Sequence, residues 1–142
     1  MNRIKRITRH IFLLLAVATI AACNKGDDIN EIFIGHQWQL TYIYDGGNRR
    51  WPGYDKKYSL QFTQSGFTAN TPGGGSIKGS WQADGKTREF RCTNIHTEGI
   101  SANDTIARLM IQMFSEATSY DGDTHYLQII KGKNNLMQFY NR

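Results

Sequence analysis

Two short segments carry residue types that could bind a metal ion. His96-Thr97-Glu98 has the His-x-Glu spacing of zinc deaminases, but the Pro-Cys-x-x-Cys segment that would complete such a site is absent. Asp121, Asp123 and His125 alternate along the chain, yet a calcium loop requires more oxygen ligands and a distal acid. We therefore interpret this segment as a solvated turn and predict no metal site.

The patterns of other catalytic sites are also incomplete. The glycine-rich segment GGGSIKGS lacks the Gly-Lys-Ser/Thr ending of a phosphate-binding loop, so it offers neither a lysine for the phosphates nor a hydroxyl for magnesium. The sequence contains no Gly-x-Ser-x-Gly nucleophile elbow. We predict a protein that is not an enzyme and that requires no cofactor.

Cys23 is the residue whose chemistry the sequence defines best. Four basic residues precede the apolar run Ile11–Ala22, which ends in Ile-Ala-Ala before Cys23. The run is shorter than the ~20 residues that span a bilayer and is typical of a secretion signal. The pattern resembles a bacterial lipobox, in which small residues admit the peptidase and the thiol accepts a diacylglyceryl group. The resemblance implies cleavage before Cys23 and acylation of its new amino group; the alternative is an ordinary signal peptide with a chance cysteine.

Removal of this leader changes the charge of the chain. The full sequence has 17 basic and 12 acidic residues, and four of the basic ones, with no acid, lie in residues 1–22. The mature part is therefore nearly neutral, and the sequence pI of 9.3 is largely a property of the leader. A nucleic-acid partner is not expected.

The remaining chain divides into a tether and one domain. We predict a signal peptide over residues 1–22, a lipidated cysteine and polar tether over 23–34, and a domain over 35–142. The acids that follow Cys23 resemble the surface-export signals of lipoproteins in Bacteroidota, although a plain linker remains an alternative. The predicted location is the outer membrane, with a periplasmic or surface-facing domain.

The periodicity of the domain predicts seven strands and one helix. Five alternating segments lie between residues 38 and 95, beginning with Trp38, Leu40, Tyr42 and Tyr44 on one face. Residues 106–117 instead carry an apolar stripe at helical spacing, with a capping-box pair at Ser101 and Asp104. Two strands then close the chain. This order predicts an α+β fold: a bent antiparallel sheet or small barrel of about seven strands with one covering helix.

One loop stands out as a candidate contact surface. The segment NRRWPGYDKK combines Arg49, Arg50, Trp51 and Tyr54, and aromatic faces beside cations can stack on sugars or lie at lipid headgroups. The alternative is that Trp51 folds back onto the core. Cys92, in an alternating segment, is predicted to be a buried and inert thiol.

Several segments together resemble a known family. The WQL strand, the YSLQF strand, the glycine-rich stretch before GSW, the helix with MFSEATSYDGD and the closing LQIIKGKNNLMQF follow the order of the META domain of bacterial envelope lipoproteins. The resemblance implies a small α+β unit without accepted catalytic residues. We expect a cell-envelope lipoprotein with a binding or structural role and an envelope protein or glycan as partner. The alternative is a lipocalin-like carrier of a small hydrophobic ligand, since GHQWQL is similar to the opening segment of those barrels.

Overall fold

A computed structural model describes residues 28–142, which form one antiparallel sheet and two helices. The strands follow the spatial order β6-β5-β4-β3-β1-β9-β8-β7, and β2 pairs with the end of β1. Their bounds are β1 Trp38–Asp45, β2 Asn48–Arg50, β3 Ser59–Thr63, β4 Gly66–Asn70, β5 Ser76–Ala83, β6 Phe90–Glu98, β7 Ser119–Gly122, β8 Tyr126–Gly132 and β9 Asn135–Asn141.

The sheet curls into a half-barrel whose two edge strands meet at one end. An isolated bridge joins Glu89, just before β6, to Ser119 at the start of β7. Backbone hydrogen bonds from Phe90 to Thr118 and from Tyr120 to Arg88 flank that bridge. The predicted α+β class with a bent antiparallel sheet is confirmed, with nine strands in place of about seven, because the short strands β2 and β7 carry no alternating pattern that would have marked them.

Helix α2, Thr105–Glu116, connects the two edge strands and packs against β6, β8, β9 and β1. Its predicted apolar stripe is confirmed, since Met110, Met113 and Phe114 are buried. The capping prediction was wrong in one respect: Asp104 is itself the N-cap, and its carboxylate accepts a hydrogen bond from the backbone N–H of Ala107 at 2.9 Å.

Helix α1, Asp28–Phe33, lies inside the segment predicted to be a polar tether. Ile32 and Phe33 are buried in the core, so residues 28–34 belong to the folded unit and the predicted boundary at residue 35 is corrected. The boundary was predicted too late in the chain because Ile32 and Phe33 follow a run of mostly polar residues. The predicted signal peptide, Cys23 and the first residues of the tether lie outside the described residues.

Phe33 is the centre of an aromatic cluster that fills the α1 end of the half-barrel. Its ring lies 4.9 to 5.6 Å from the rings of four residues, and its side chain is fully buried. The four are Phe62, Trp81, Phe90 and Tyr120. Such edge and stacked contacts add to the burial energy of the rings.

A β-bulge in β1 overturns the predicted face of two tyrosines. The pairing of β1 with β9 shifts between Leu40 and Tyr42, so the chain holds one extra residue there. After the bulge, Ile43 is fully buried, whereas Tyr42 and Tyr44 are only partly buried. A one-residue shift exchanges the two faces of a strand, and regular alternation could not have predicted it.

The predicted character of Cys92 is confirmed. The residue is buried, and burial raises the pKa of its thiol to about 12, so the thiol is inert.

Within residues 28–142, no helix has the length and apolar composition that crossing a bilayer requires.

Candidate functional site

The candidate site is an open cleft of about 780 Å³ at the end of the half-barrel that carries the β1–β2 hairpin. We call it the hairpin cleft. One wall is the hairpin with the loop that follows it, and the other is the N-terminal turn of α2. Its lining includes Arg49, Arg50, Trp51, Lys56, Tyr58 and Asp104.

The hairpin is held in place by its turn. Gly46 and Gly47 have φ values of +59° and +87°, which glycine adopts without strain in a two-residue hairpin turn. The N–H of Gly46 donates to the side chain of Asn135 at 2.8 Å, and that of Gly47 donates to the carbonyl of Asn134 at 3.0 Å. These bonds tie the hairpin to the β8–β9 turn and thereby position the two arginines that follow.

The four predicted contact residues lie together at this end of the molecule. Trp51 is 53% exposed and Tyr54 is 91% exposed, and their rings make an edge-to-face contact at 4.8 Å. Trp51 therefore packs on Tyr54 and does not fold back onto the core. The guanidinium of Arg49 lies 4.6 Å from the centre of the Tyr42 ring, and Arg50 is exposed.

Tyr58 and Asp104 form the rigid floor of the cleft. The hydroxyl of Tyr58, which is 3% exposed, donates to a carboxylate oxygen of Asp104 at 2.7 Å. The same oxygen caps α2. Burial, the hydrogen bond and the charge of Asp104 hold the pKa of Tyr58 well above its ordinary value. The loop that precedes Tyr58 is thereby fastened to the start of the helix.

The cleft carries cationic groups that are free for a partner. Arg50 and Lys56 line it and are exposed, and the ion pairs of residues 28–142 involve other basic residues: Arg88, His125 and Lys131. Asp45 is an acidic member of the lining. The arrangement is suited to bind a partner with acidic groups and a flat apolar surface.

His36 and His96 take part in hydrogen bonds within the domain. The ring of His36 bonds to the carbonyl of Glu31 and to the side-chain amide of Asn141, linking α1 to β9. His96 bonds to the carbonyl of Asn94. Within residues 28–142, no three His, Cys, Asp or Glu side chains are grouped closely enough to hold a metal ion.

The segment around Asp123 forms the turn that its sequence suggested. Its carboxylate accepts hydrogen bonds from the backbone N–H groups of His125 and Tyr126, at 2.7 and 3.1 Å. These bonds hold the pKa of Asp123 below its ordinary value. The side chain is thus engaged by the turn between β7 and β8.

A second open groove of about 810 Å³ lies at the α1 end, beside Ile29, Ile34 and Trp81. The indole N–H of Trp81 donates to the carbonyl of Thr63 at 2.7 Å, so the ring is held against the β3–β4 turn. Both grooves are open at the surface, and the aromatic cluster around Phe33 fills the interior at this end. This filling argues against a lipocalin-like ligand cavity, which would require several hundred Å³ of enclosed space.

Comparison with protein families identifies the domain. A family model described as "Domain of unknown function (DUF4847)" matches residues 24–141. The chain belongs to the DUF4847 family. This finding overturns the resemblance to the META domain: the segments that suggested it occur in the same order in a DUF4847 sheet, because short alternating strands and one amphipathic helix are not specific to one family.

Solved structures support the same fold. A crystal structure of a DUF4847 family protein from Bacteroides vulgatus ATCC 8482 is similar with 24% sequence identity and a TM-score of 0.59, covering 79% of this chain and 96% of that one. An NMR structure of a protein from Burkholderia xenovorans is similar with 12% identity and a TM-score of 0.60, covering 78% and 83%. No curated protein matches the chain.

The sequence predicted the loop that forms one wall of the cleft but not the pair that forms its floor. The charged aromatic loop is contiguous, so composition alone singled it out. Tyr58 and Asp104 are 46 residues apart and become neighbours only when the fold brings the residue before β3 to the residue before α2. The sequence does indicate that Asp104 lies at the start of a helix, but it does not indicate which residue donates a hydrogen bond to its carboxylate.

Proposed function

We propose that this DUF4847 protein is a non-catalytic binding lipoprotein of the cell envelope that contacts its partner through the hairpin cleft. The observation that carries the proposal is the exposed pair Trp51 and Tyr54 on a rim whose floor is fixed by the Tyr58–Asp104 hydrogen bond. Exposed aromatic groups on a rigid support are typical of contact sites, since they bury a large area at little entropic cost.

The charge of the cleft favours a partner that presents acidic groups. Arg50 and Lys56 line the cleft without an ion pair among the described residues. The lining also contains the carboxylates of Asp45 and Asp104, but that of Asp104 is engaged by Tyr58 and the start of α2, which leaves the cationic groups in excess. We propose an envelope component with acidic groups, either on a protein or on a glycan, as the ligand class.

The anchor is proposed from the lipobox and agrees with the placement of the domain. The family model begins at residue 24, directly after Cys23, and cleavage before Cys23 would make this cysteine the first residue of the mature chain. Helix α1 precedes the start of β1, whereas the hairpin follows the end of β1. A lipid on Cys23 would therefore hold the α1 end near the outer membrane and leave the hairpin cleft directed away from it.

Lipidation is tested by labelling cells with a radioactive fatty acid. The wild-type protein is expected to take up the label and to fractionate with membranes, and a Cys23→Ser variant is expected to do neither. Label that persists in the Cys23→Ser variant would disprove the anchor. A Cys92→Ser variant is the matched control, because Cys92 is buried and its loss should leave the label unchanged.

The cleft is tested by affinity capture from intact cells after cross-linking. A Trp51→Ala/Tyr54→Ala double variant and an Arg50→Ala/Lys56→Ala double variant are each expected to lose the wild-type partner. Lys86→Ala/Lys133→Ala removes the same charge from exposed positions outside the cleft and should retain it. A partner set that is identical in wild type and both cleft variants would reject the hairpin cleft as the site.

A further inference from the structure

The outer face of the sheet carries a second group of aromatic residues, on strands β8, β9 and β1, of which Tyr140 is exposed and the others are partly exposed. We call it the tyrosine face. It is formed by side chains that point away from the core and are only partly covered. The residues are Tyr42, Tyr44, Tyr126, Gln128, Gln138 and Tyr140.

Strand register places these side chains in adjacent rows. Tyr126 lies directly opposite Tyr140, and Gln128 lies opposite Gln138, which in turn lies opposite Tyr42. Directly paired residues on one face are in contact distance. With strands about 4.8 Å apart and a rise of about 3.3 Å per residue, the rows cover roughly 10 by 13 Å.

The bulge in β1 creates this face. Without it, Tyr42 and Tyr44 would point into the core, and Ile43 would point outward. The bulge instead presents both rings at the surface, where they make an edge-to-face pair at 5.0 Å. Bulges commonly redirect side chains at functional sites.

Hydrogen bonds between the side chains hold the polar groups of the face in place. The hydroxyl of Tyr42 donates to the amide oxygen of Gln138 at 2.6 Å, and the amide nitrogen of Gln128 donates to the same oxygen at 2.9 Å. The amide N–H groups of Gln138 and the amide oxygen of Gln128 have no hydrogen bond to another described side chain. A donor and an acceptor are therefore presented side by side between tyrosine rings.

Charged groups reach the face from the two strands that flank it. The guanidinium of Arg49, on β2, lies over the Tyr42 ring, and Asp121, on β7, accepts a hydrogen bond from the hydroxyl of Tyr126 at 3.4 Å. The strands β8, β9 and β1 themselves contribute rings and amides without charge, so one cation and one anion border a neutral surface, which is poorly suited to an anionic headgroup layer. It matches a ligand that combines apolar C–H patches with many hydroxyls: the C–H groups rest on the electron-rich ring faces, and the hydroxyls exchange hydrogen bonds with the amides.

We propose that the tyrosine face binds a neutral polysaccharide strand. This inference goes beyond the proposed function, because it concerns another surface and another ligand class than the acidic partner of the hairpin cleft. A polysaccharide strand lying across the rows would contact Tyr44, Gln138 and Tyr140. Binding would be weakly dependent on salt, in contrast with a contact made by the cationic cleft.

The proposal is tested by affinity gel electrophoresis of residues 24–142 in gels that contain β-glucan, xylan, mannan or α-glucan. Wild type is expected to be retarded by at least one of them, and a Tyr44→Ala/Tyr140→Ala variant is expected to bind at least tenfold more weakly. The matched variant Tyr44→Phe/Tyr140→Phe keeps the rings and should bind within about threefold of wild type, since ring stacking supplies most of the contact.

Three controls keep the result interpretable. Far-ultraviolet circular dichroism and thermal unfolding establish that each variant is folded; if the double alanine variant is not, Gln138→Met replaces it, because it removes the central amide at similar volume and should also weaken binding. The Arg50→Ala/Lys56→Ala variant should bind the polysaccharide as wild type does, which separates this surface from the hairpin cleft. Retardation by none of the four polysaccharides, or equal retardation of wild type and Tyr44→Ala/Tyr140→Ala, would overturn the proposal.

Discussion

The two ends of the half-barrel use aromatic residues in opposite ways. At the α1 end, the ring of Phe33 packs against four other rings. At the hairpin end, Trp51 and Tyr54 contact each other and remain largely exposed. The first group contributes burial energy to the fold, whereas the second contributes little to stability and leaves its surface available to a partner.

This difference separates residues that hold the fold from residues that are available for binding. Substitutions at the α1 end should reduce the free energy of unfolding, and substitutions at the hairpin end should change binding with little effect on it. The floor of the hairpin cleft lies between these cases, because Tyr58 and Asp104 are structural residues that position a contact surface.

The largest loss of stability is expected for Phe33→Ala. Truncation of a fully buried phenylalanine to alanine typically lowers the free energy of unfolding by about 3–5 kcal/mol, because apolar burial is lost and a cavity is left behind. Urea unfolding followed by tryptophan fluorescence measures the change. Ile29→Ala, on the same helix but only partly buried, should cost much less; equal losses would show that Phe33 is not the anchor of α1.

An intermediate loss is expected for Asp104→Ala. The variant removes the N-cap of α2 and leaves the buried hydroxyl of Tyr58 without its acceptor, which together should cost about 2 kcal/mol. Asp104→Asn keeps a side-chain oxygen that can accept both bonds and should recover most of the stability. The same unfolding measurement applies, and a neutral effect of the alanine variant would contradict the proposed role of the floor.

Tyr58→Phe should cost about 1–2 kcal/mol at neutral pH, through loss of the hydrogen bond to the carboxylate. Burial and Asp104 raise the pKa of Tyr58, so its contribution is complete below about pH 10, the ordinary pKa of tyrosine. Above that pH the unfolded chain loses the proton more readily than the folded one, and stability falls as the pH rises.

The pH test compares the two proteins between pH 8 and about pH 11 in urea unfolding. The free energy of unfolding of wild type should fall more steeply above about pH 10 than that of Tyr58→Phe. Parallel curves would show that the hydroxyl ionises equally in the folded and unfolded states and would remove Tyr58 from the rigid floor.

The smallest effect on stability is expected for Trp51→Ala/Tyr54→Ala. Substitutions at exposed positions usually change the free energy of unfolding by less than about 0.5 kcal/mol, so the variant should unfold at the same urea concentration as wild type while losing the partner of the hairpin cleft. A loss above about 1.5 kcal/mol would place these rings with the structural group at the opposite end.

Much of the fold was predictable because its signals are local. The apolar stripe over α2 has the period of 3.6 residues of a helix, and the alternation in β8 and β9 has the period of 2 of a strand. Both periods can be read from neighbouring residues without knowledge of what the element packs against. Helix α1 was missed because six residues give too short a period to distinguish from a polar linker. The faces of Tyr42 and Tyr44 were assigned wrongly because a bulge is decided by the fit between β1 and β9.

The sequence by itself determined the class of the fold, the inert character of Cys92 and the clustering of Arg49, Arg50, Trp51 and Tyr54. Each depends on neighbours along the chain or on the tendency of apolar side chains to be buried. Only the tertiary structure decided that Trp51 is exposed, that Tyr58 and Asp104 form the floor beneath it, and that four tyrosines share an outer face. These outcomes depend on contacts between residues that are far apart in the sequence. The free energy of such a contact depends on how the strands and helices pack together, which no local pattern records.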